Sequence, residues 1–221
     1  MRNARWLTRH AVFAAVLVLI TLLQIGCTRG IRQAKLDPLE LLPVDSNIRG
    51  DVALCLPSKL HGRTWNVRDY PFQLDLGKPT AKNLELITKQ IFRRVDVRFV
   101  EDCERNATLP WLTATIVSAN RETPGEASGD LHYTSVRLLT TLHQPDGATL
   151  WSFETVAVAG LPRLTLKERW VREIRINHAA RSFGDALELA LRRTREDLIS
   201  SDEVRRYFET HHARPPGAIS R

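Results

Sequence analysis

The sequence predicts an α+β two-layer sandwich: a mostly antiparallel sheet of about four to six strands with two main helices on one face. Three observations carry this expectation. Two segments set apolar side chains at helical spacing, Leu84, Ile87, Ile91 and Val95 in one, and Phe183, Ala186, Leu187, Ala190, Leu191 and Leu198 in the other. Between them lie runs rich in β-branched residues, "WLTATIVSA" (111–119) and "HYTSVRLLTTLH" (132–143). The second of these runs meets "ATLWSFETVAVA" (148–159) through "QPDG", where Pro145 suits the second position of a type I turn and Gly147 the last.

Taken in order, residues 28–49 carry Pro38 and Pro43 and little periodicity, and read as a tether partly packed by Leu39, Leu41 and Leu42. A strand is expected over 51–56, then the loop "PSKLHGRTWNVRDYP", then a short alternating run of Phe72, Leu74 and Leu76 stopped by Gly77. Pro79 opens the first helix, with Lys82, Lys89 and Arg93 on its wet side. Strands at 96–101 and 111–119 follow, then a turn-rich loop over 121–130 and the hairpin. An extended arm leads to the last long helix, 182–199, where Ser182 and Asp185 resemble a capping box. Ser200 and Glu203 start a further helical piece bearing Val204, Tyr207 and Phe208, and Asp202 and Glu203 are favourable charges in its first turn. Residues 210–221 read as a disordered tail, so the folded domain is expected over 50–209.

The formal charge of +7 suggests a polyanion partner, yet Arg2, Arg5 and Arg9 lie in a segment, 1–26, that contains no acid. The remainder has 29 basic against 25 acidic side chains, and no Lys/Arg block is interleaved with aromatics. Nucleic acid is therefore not an expected partner. Catalysis finds no constellation either. The seven histidines form no metal-ligand spacing, "GEASG" (125–129) places Ser128 one position late for a nucleophile elbow, and no Gly-rich loop opens a helix. The stripes on the two helices read as core rather than a cofactor box. The expectation is a non-enzyme with no cofactor and no metal.

The first 26 residues follow the layout of a signal peptide: Arg2, Arg5 and Arg9, then the apolar run Ala11 to Leu23, then Gly26. Ala11 to Ile25 is shorter than the roughly 20 residues a spanning helix needs. The "IGC" that follows resembles the lipobox of bacterial lipoproteins, with Gln24 where that family usually carries Leu. That resemblance implies that Cys27 takes a diacylglyceryl group, that the chain is cut before it, and that its new amine receives an acyl chain of the palmitate kind. Thr28, in place of the Asp that commonly marks inner-membrane retention in that family, implies the outer membrane, periplasmic face. The other reading is an uncleaved signal anchor with an incidental cysteine. On the first reading 1–26 is removed, and 27–49 is the lipidated cysteine and tether.

Setting Cys27 aside leaves Cys55 and Cys103, an even pair of the sort exported domains use as a disulfide, with separate thiols as the alternative. The most distinctive surface is "RLTLKERWVREIRINHAAR" (163–181), which carries Arg163, Lys167, Arg169, Arg172, Arg175 and Arg181 against Glu168 and Glu173. Read as extended, Trp170, Arg172 and Ile174 alternate with Val171, Glu173 and Arg175 and give a basic strip suited to acidic headgroups or an acidic partner. The alternative is a solvated face whose acids balance part of the charge.

The order of elements, carried by "GDVALCLP", "GKPTAKNLELITKQIFRRVDV", "TTLHQPDGATLWS" and "AARSFGDALELALRRTREDLI", resembles small outer-membrane lipoproteins. These include the lipopolysaccharide-assembly lipoproteins and the auxiliary lipoproteins of ABC-type lipid transport. The anchor, the compact domain and the missing catalytic set point to a binding or assembly module of the cell envelope, held to the membrane through Cys27 and meeting an envelope protein. The alternative, carried by the basic strip at 163–181, is a transport component that binds lipid or lipopolysaccharide.

Overall fold

A computed structural model describes residues 31–33, 48–66, 73–98, 108–122 and 131–212. The expected signal segment over 1–26, Cys27, Leu39 to Leu42, Phe72, Cys103, the loop over 123–130 and the last residues, 213–221, lie outside these. Eight strands and five helices occur among the described residues: β1 (Ile31–Gln33), β2 (Ile48–Cys55), α1 (Ser58–His61), β3 (Thr64–Asn66), β4 (Gln73–Asp75), α2 (Gly77–Ile91), β5 (Phe92–Arg98), β6 (Trp111–Glu122), β7 (Leu131–His143), β8 (Thr149–Pro162), α3 (Leu166–Arg169), α4 (Arg172–Ser200) and α5 (Asp202–His212).

Five strands form one sheet in the order β5-β2-β6-β7-β8, and β1-β4-β3 form a separate small one. The architecture is the expected α+β sandwich. Its sheet is more evenly mixed than expected: β2 runs parallel to both β5 and β6, while β6–β7 and β7–β8 are antiparallel. Strand direction follows from the path of the crossover through α2, which no residue pattern within a strand encodes.

The β7–β8 hairpin turns as its residues dictate. The Gly147 N–H donates to the Gln144 carbonyl at 3.0 Å, Asp146 Oδ1 accepts from the Ala148 N–H at 3.0 Å, and Gly147 stands at φ 94°. Pro145 occupies the second turn position.

Helix α2 begins at Gly77, where a Cβ would overlap the Leu60 carbonyl oxygen, so only glycine lets α1 and α2 meet there. Asp75 Oδ1 accepts the Lys78 N–H at 3.2 Å, satisfying one of the free donors of the first turn. The helix buries Leu84, Ile87 and Ile91 as expected, and its buried Thr80, Asn83 and Thr88 bond back to carbonyls four residues earlier. It stops at Ile91. Val95 belongs to β5, where Val95 and Val97 pair with Val52 and Leu54 on the core side.

The long helix α4 starts ten residues before the expected Ser182, because Ile176, Ala179, Ala180 and Phe183 already form one buried stripe. Ser182 is therefore no cap: it is buried in mid-helix and its hydroxyl donates to Thr134 Oγ1 at 2.5 Å. The capping box lies instead at α3, between Thr165 and Glu168. Asp197 of α4 accepts the Trp151 indole N–H at 2.9 Å and ties the helix to β8. Ser201 caps α5, accepting the Val204 N–H at 3.3 Å, and Phe208 packs on Phe92 with ring centroids 5.2 Å apart. Helix α5 extends through His212, past the expected start of the tail.

Buried side chains of α1, α2, α4 and α5 all join one hydrophobic cluster with Val52, Leu54, Leu112, Leu138 and Ala157 of the sheet. On the opposite face Ala53, Cys55 and Trp111 make a small second cluster, capped by His143, whose ring stacks on Trp111 at 5.0 Å.

Candidate functional site

The segment 163–181 is helical, not extended, and this corrects the expected strip. Lys167 and Arg169 lie on the one-turn helix α3, while Arg172, Arg175 and Arg181 belong to α4. The alternation of Trp170, Arg172 and Ile174 therefore does not define an edge. At about 100° per residue, Arg175 and Arg181 leave α4 in different directions. Lys167, Arg169 and Arg181 are exposed, and Arg163 and Arg175 half-buried. The side chain of Arg172 lies outside the described residues.

What the fold does assemble is a cationic cluster at one end of the sheet. Arg121 near the end of β6, His132 near the start of β7, Arg163 just after β8, Arg169 on α3, and His178 and Arg181 on α4 converge there. The His132 and His178 rings meet edge-to-face with centroids 6.1 Å apart. The Nε2–H of His178 donates to the Pro162 carbonyl at 2.8 Å. His178 Nδ1, His132 Nδ1 and Arg163 Nε are buried atoms with no hydrogen-bond partner among the described residues. Arg169 Nε donates to the Leu164 carbonyl at 3.1 Å.

The electrostatics follow from this crowding. Burial, then the charges of Arg121, His178, Arg163 and Arg169, push His132 down to about 4. His178 is lowered too, by burial first, against an opposing contribution from its bond to Pro162. Glu168 is the nearby acid, and it is already committed. Its carboxylate accepts the Thr165 hydroxyl at 2.7 Å and the Thr165 N–H at 2.8 Å, and these bonds hold its pKa below the ordinary carboxylate range. A cluster of this kind can receive an anion, which would relieve the mutual repulsion and use bidentate guanidinium donors.

Sequence reasoning missed Arg121, His132 and His178 as members of this cluster. His132 and His178 are far apart in the chain and meet only because α4 folds back over the β7–β8 hairpin. The sequence does contain one indirect signal, the Ile176–Ala179–Ala180–Phe183 stripe, which puts His178 in a helix on the sheet.

Of the other expected site residues, Cys27 and Cys103 lie outside the described residues. Cys55 ends β2 on the face away from the helices and is buried. Among the described residues no group of three His, Cys, Asp or Glu side chains is placed to hold a metal, and no helix is long and apolar enough to cross a membrane.

Sheet, helices and cluster together define an α+β layered domain with a cationic end. No protein-family model matches the chain, and no curated protein matches it in sequence. Among solved structures it is similar to a hypothetical protein from Chlamydia trachomatis, with 9% identity, TM-score 0.44, and coverage of 68% of this chain and 96% of that one. A minor lipoprotein from Acinetobacter baumannii gives 9% identity and TM-score 0.44, covering 70% and 93%. The rare lipoprotein B from Shewanella oneidensis gives 12% identity and TM-score 0.35, covering 67% and 98%.

Proposed function

We propose that this chain is a non-enzymatic binding or assembly module of the cell envelope, held to the periplasmic face of the outer membrane by lipid on Cys27. The observation that carries the reading is the run of three arginines, a short apolar segment and "IGC" ahead of a compact domain. Two or more acyl chains on Cys27 give stable anchorage where one gives only marginal binding. Crosslinking in intact cells followed by purification from outer membrane retrieves a defined envelope protein on this reading, and Cys27→Ala removes both the fatty-acid label and the membrane fractionation. Repeated recovery of the free monomer, or unchanged labelling in Cys27→Ala, sinks it.

A second reading is favoured by the cationic cluster: the domain binds a phosphorylated lipid or lipopolysaccharide through Arg163, Arg169 and their neighbours. Replacing Arg163, Arg169 and Arg181 by Glu then lowers affinity for a phosphorylated glycolipid at least about 100-fold, since each lost charge-assisted contact is worth about 1.5–3 kcal/mol. Unchanged binding dismisses the cluster as the ligand site.

A further inference from the structure

Four apolar side chains between Leu166 and Ile174 face solvent: Leu166 is 76% exposed, Trp170 86%, Val171 44% and Ile174 37%. Isolated exposed apolar residues are ordinary, but a tryptophan this bare with three exposed aliphatic residues within nine positions, from α3 into the start of α4, is not. Helix α3 buries nothing at all. Its shape is nonetheless fixed, by the Thr165–Glu168 capping box, by the Arg169 N–H on the Thr165 carbonyl at 3.0 Å, and by the Val171 N–H on the Glu168 carbonyl at 3.1 Å. The turn is a preformed projection that contributes nothing to the core.

Charge surrounds it. Lys167 and Arg169 are exposed in the same turn, with Arg163 and Arg175 half-buried behind them. Of the two acids of the segment, Glu168 is consumed by the capping box, which leaves Glu173. Exposed indole and aliphatic groups interspersed with ammonium and guanidinium groups suit a bilayer interface, which offers acyl chains to the first and anionic phosphates to the second.

We infer that Leu166, Trp170, Val171 and Ile174 insert into the interfacial layer of an anionic phospholipid bilayer, with Lys167 and Arg169 on its phosphates. The contact adds to the proposed acyl anchor and is separate from it. The anchor delivers the chain to the bilayer; the α3 turn orients the domain on it. Strand β1, where the described fold begins, starts at Ile31, four residues beyond Cys27, and lies beside α4, the helix that α3 leads into.

The test uses the full acylated chain reconstituted into vesicles of phosphatidylethanolamine and phosphatidylglycerol, with and without bromine on the acyl chains. Subtracting the emission of Trp170→Phe isolates Trp170 from the other tryptophans. The expected result is a blue-shifted Trp170 emission, most of which is lost on brominated vesicles, with a smaller shift in the Lys167→Glu, Arg169→Glu double variant and at high salt. If the chain floats with the vesicles while Trp170 keeps the emission of an indole in water, the inference fails and the anchor stands. If it does not float at all, both fail. Shielding of Trp170 that needs an added envelope-protein fraction overturns the inference in favour of a protein partner. A shift equally large on phosphatidylcholine alone, and indifferent to the charge reversal, overturns the role given to Lys167 and Arg169.

Discussion

His132 shows how a single residue can report on its surroundings. Its charged form is disfavoured in the folded state, where it titrates at about 4 rather than the ordinary 6.5. The unfolded chain therefore takes up a proton at this residue as pH falls below 6.5, while the native state does not until about 4. Stability from this group is complete above pH 6.5 and is lost progressively between there and about 4. Thermal midpoints measured across that window should fall more steeply for the native sequence than for His132→Gln, with His178 supplying a residual slope of the same sign. Equal slopes for the two proteins would show that neither burial nor the neighbouring charges lower this ring's affinity for a proton. None of this was legible in the sequence, because a histidine's partners here are tertiary: Arg121, Arg163, Arg169 and His178 come from four other segments.

Among the elements, local signals are legible in the residues and non-local ones are not. Stripes such as Leu84–Ile87–Ile91 and Phe183–Ala186–Leu187–Ala190 are periodicities within one helix, and "QPDG" is a self-contained turn, so the residues alone specify them. Ile176 and Ala179 continue the stripe of α4, but the arginines among them and the Ser182–Asp185 pair resemble an extended arm ending in a helix cap. Strand direction, and the pairing of β2 between β5 and β6, had no local signal at all. Cys55 makes a prediction at this scale. With Cys103 as its proposed partner, the bridge closes a loop from the end of β2 to the segment after β5, worth on the order of 4 kcal/mol in loop-closure entropy. Non-reducing peptide mapping should recover a Cys55–Cys103 linked pair, and reduction should lower the denaturant midpoint. A linkage to Cys27 instead would end both the pairing and the proposed acyl anchor.

For the molecule as a whole, the helices cover one face of the sheet, and the other holds a small patch around Cys55 and Trp111 together with exposed Val117, Val156 and Val158. Cross-strand pairing of Arg137 with Glu154 keeps that face polar in part. The class of fold could be read from composition and pattern, since any sheet with one-sided helices must bury its apolar face in this way. The cationic end and the bare tryptophan turn could not, since both depend on where α3 and α4 come to rest. Strand β1 has one more consequence. Within the stretch expected to be a tether, Ile31–Gln33 pair with β4. With Cys27 acylated as proposed, only Thr28 to Gly30 separate the lipid-bearing residue from hydrogen-bonded backbone, and four residues at full extension reach roughly 14 Å. On that proposal the paired backbone of β1 would stay within that reach of the bilayer, and a partner would be met at the membrane surface.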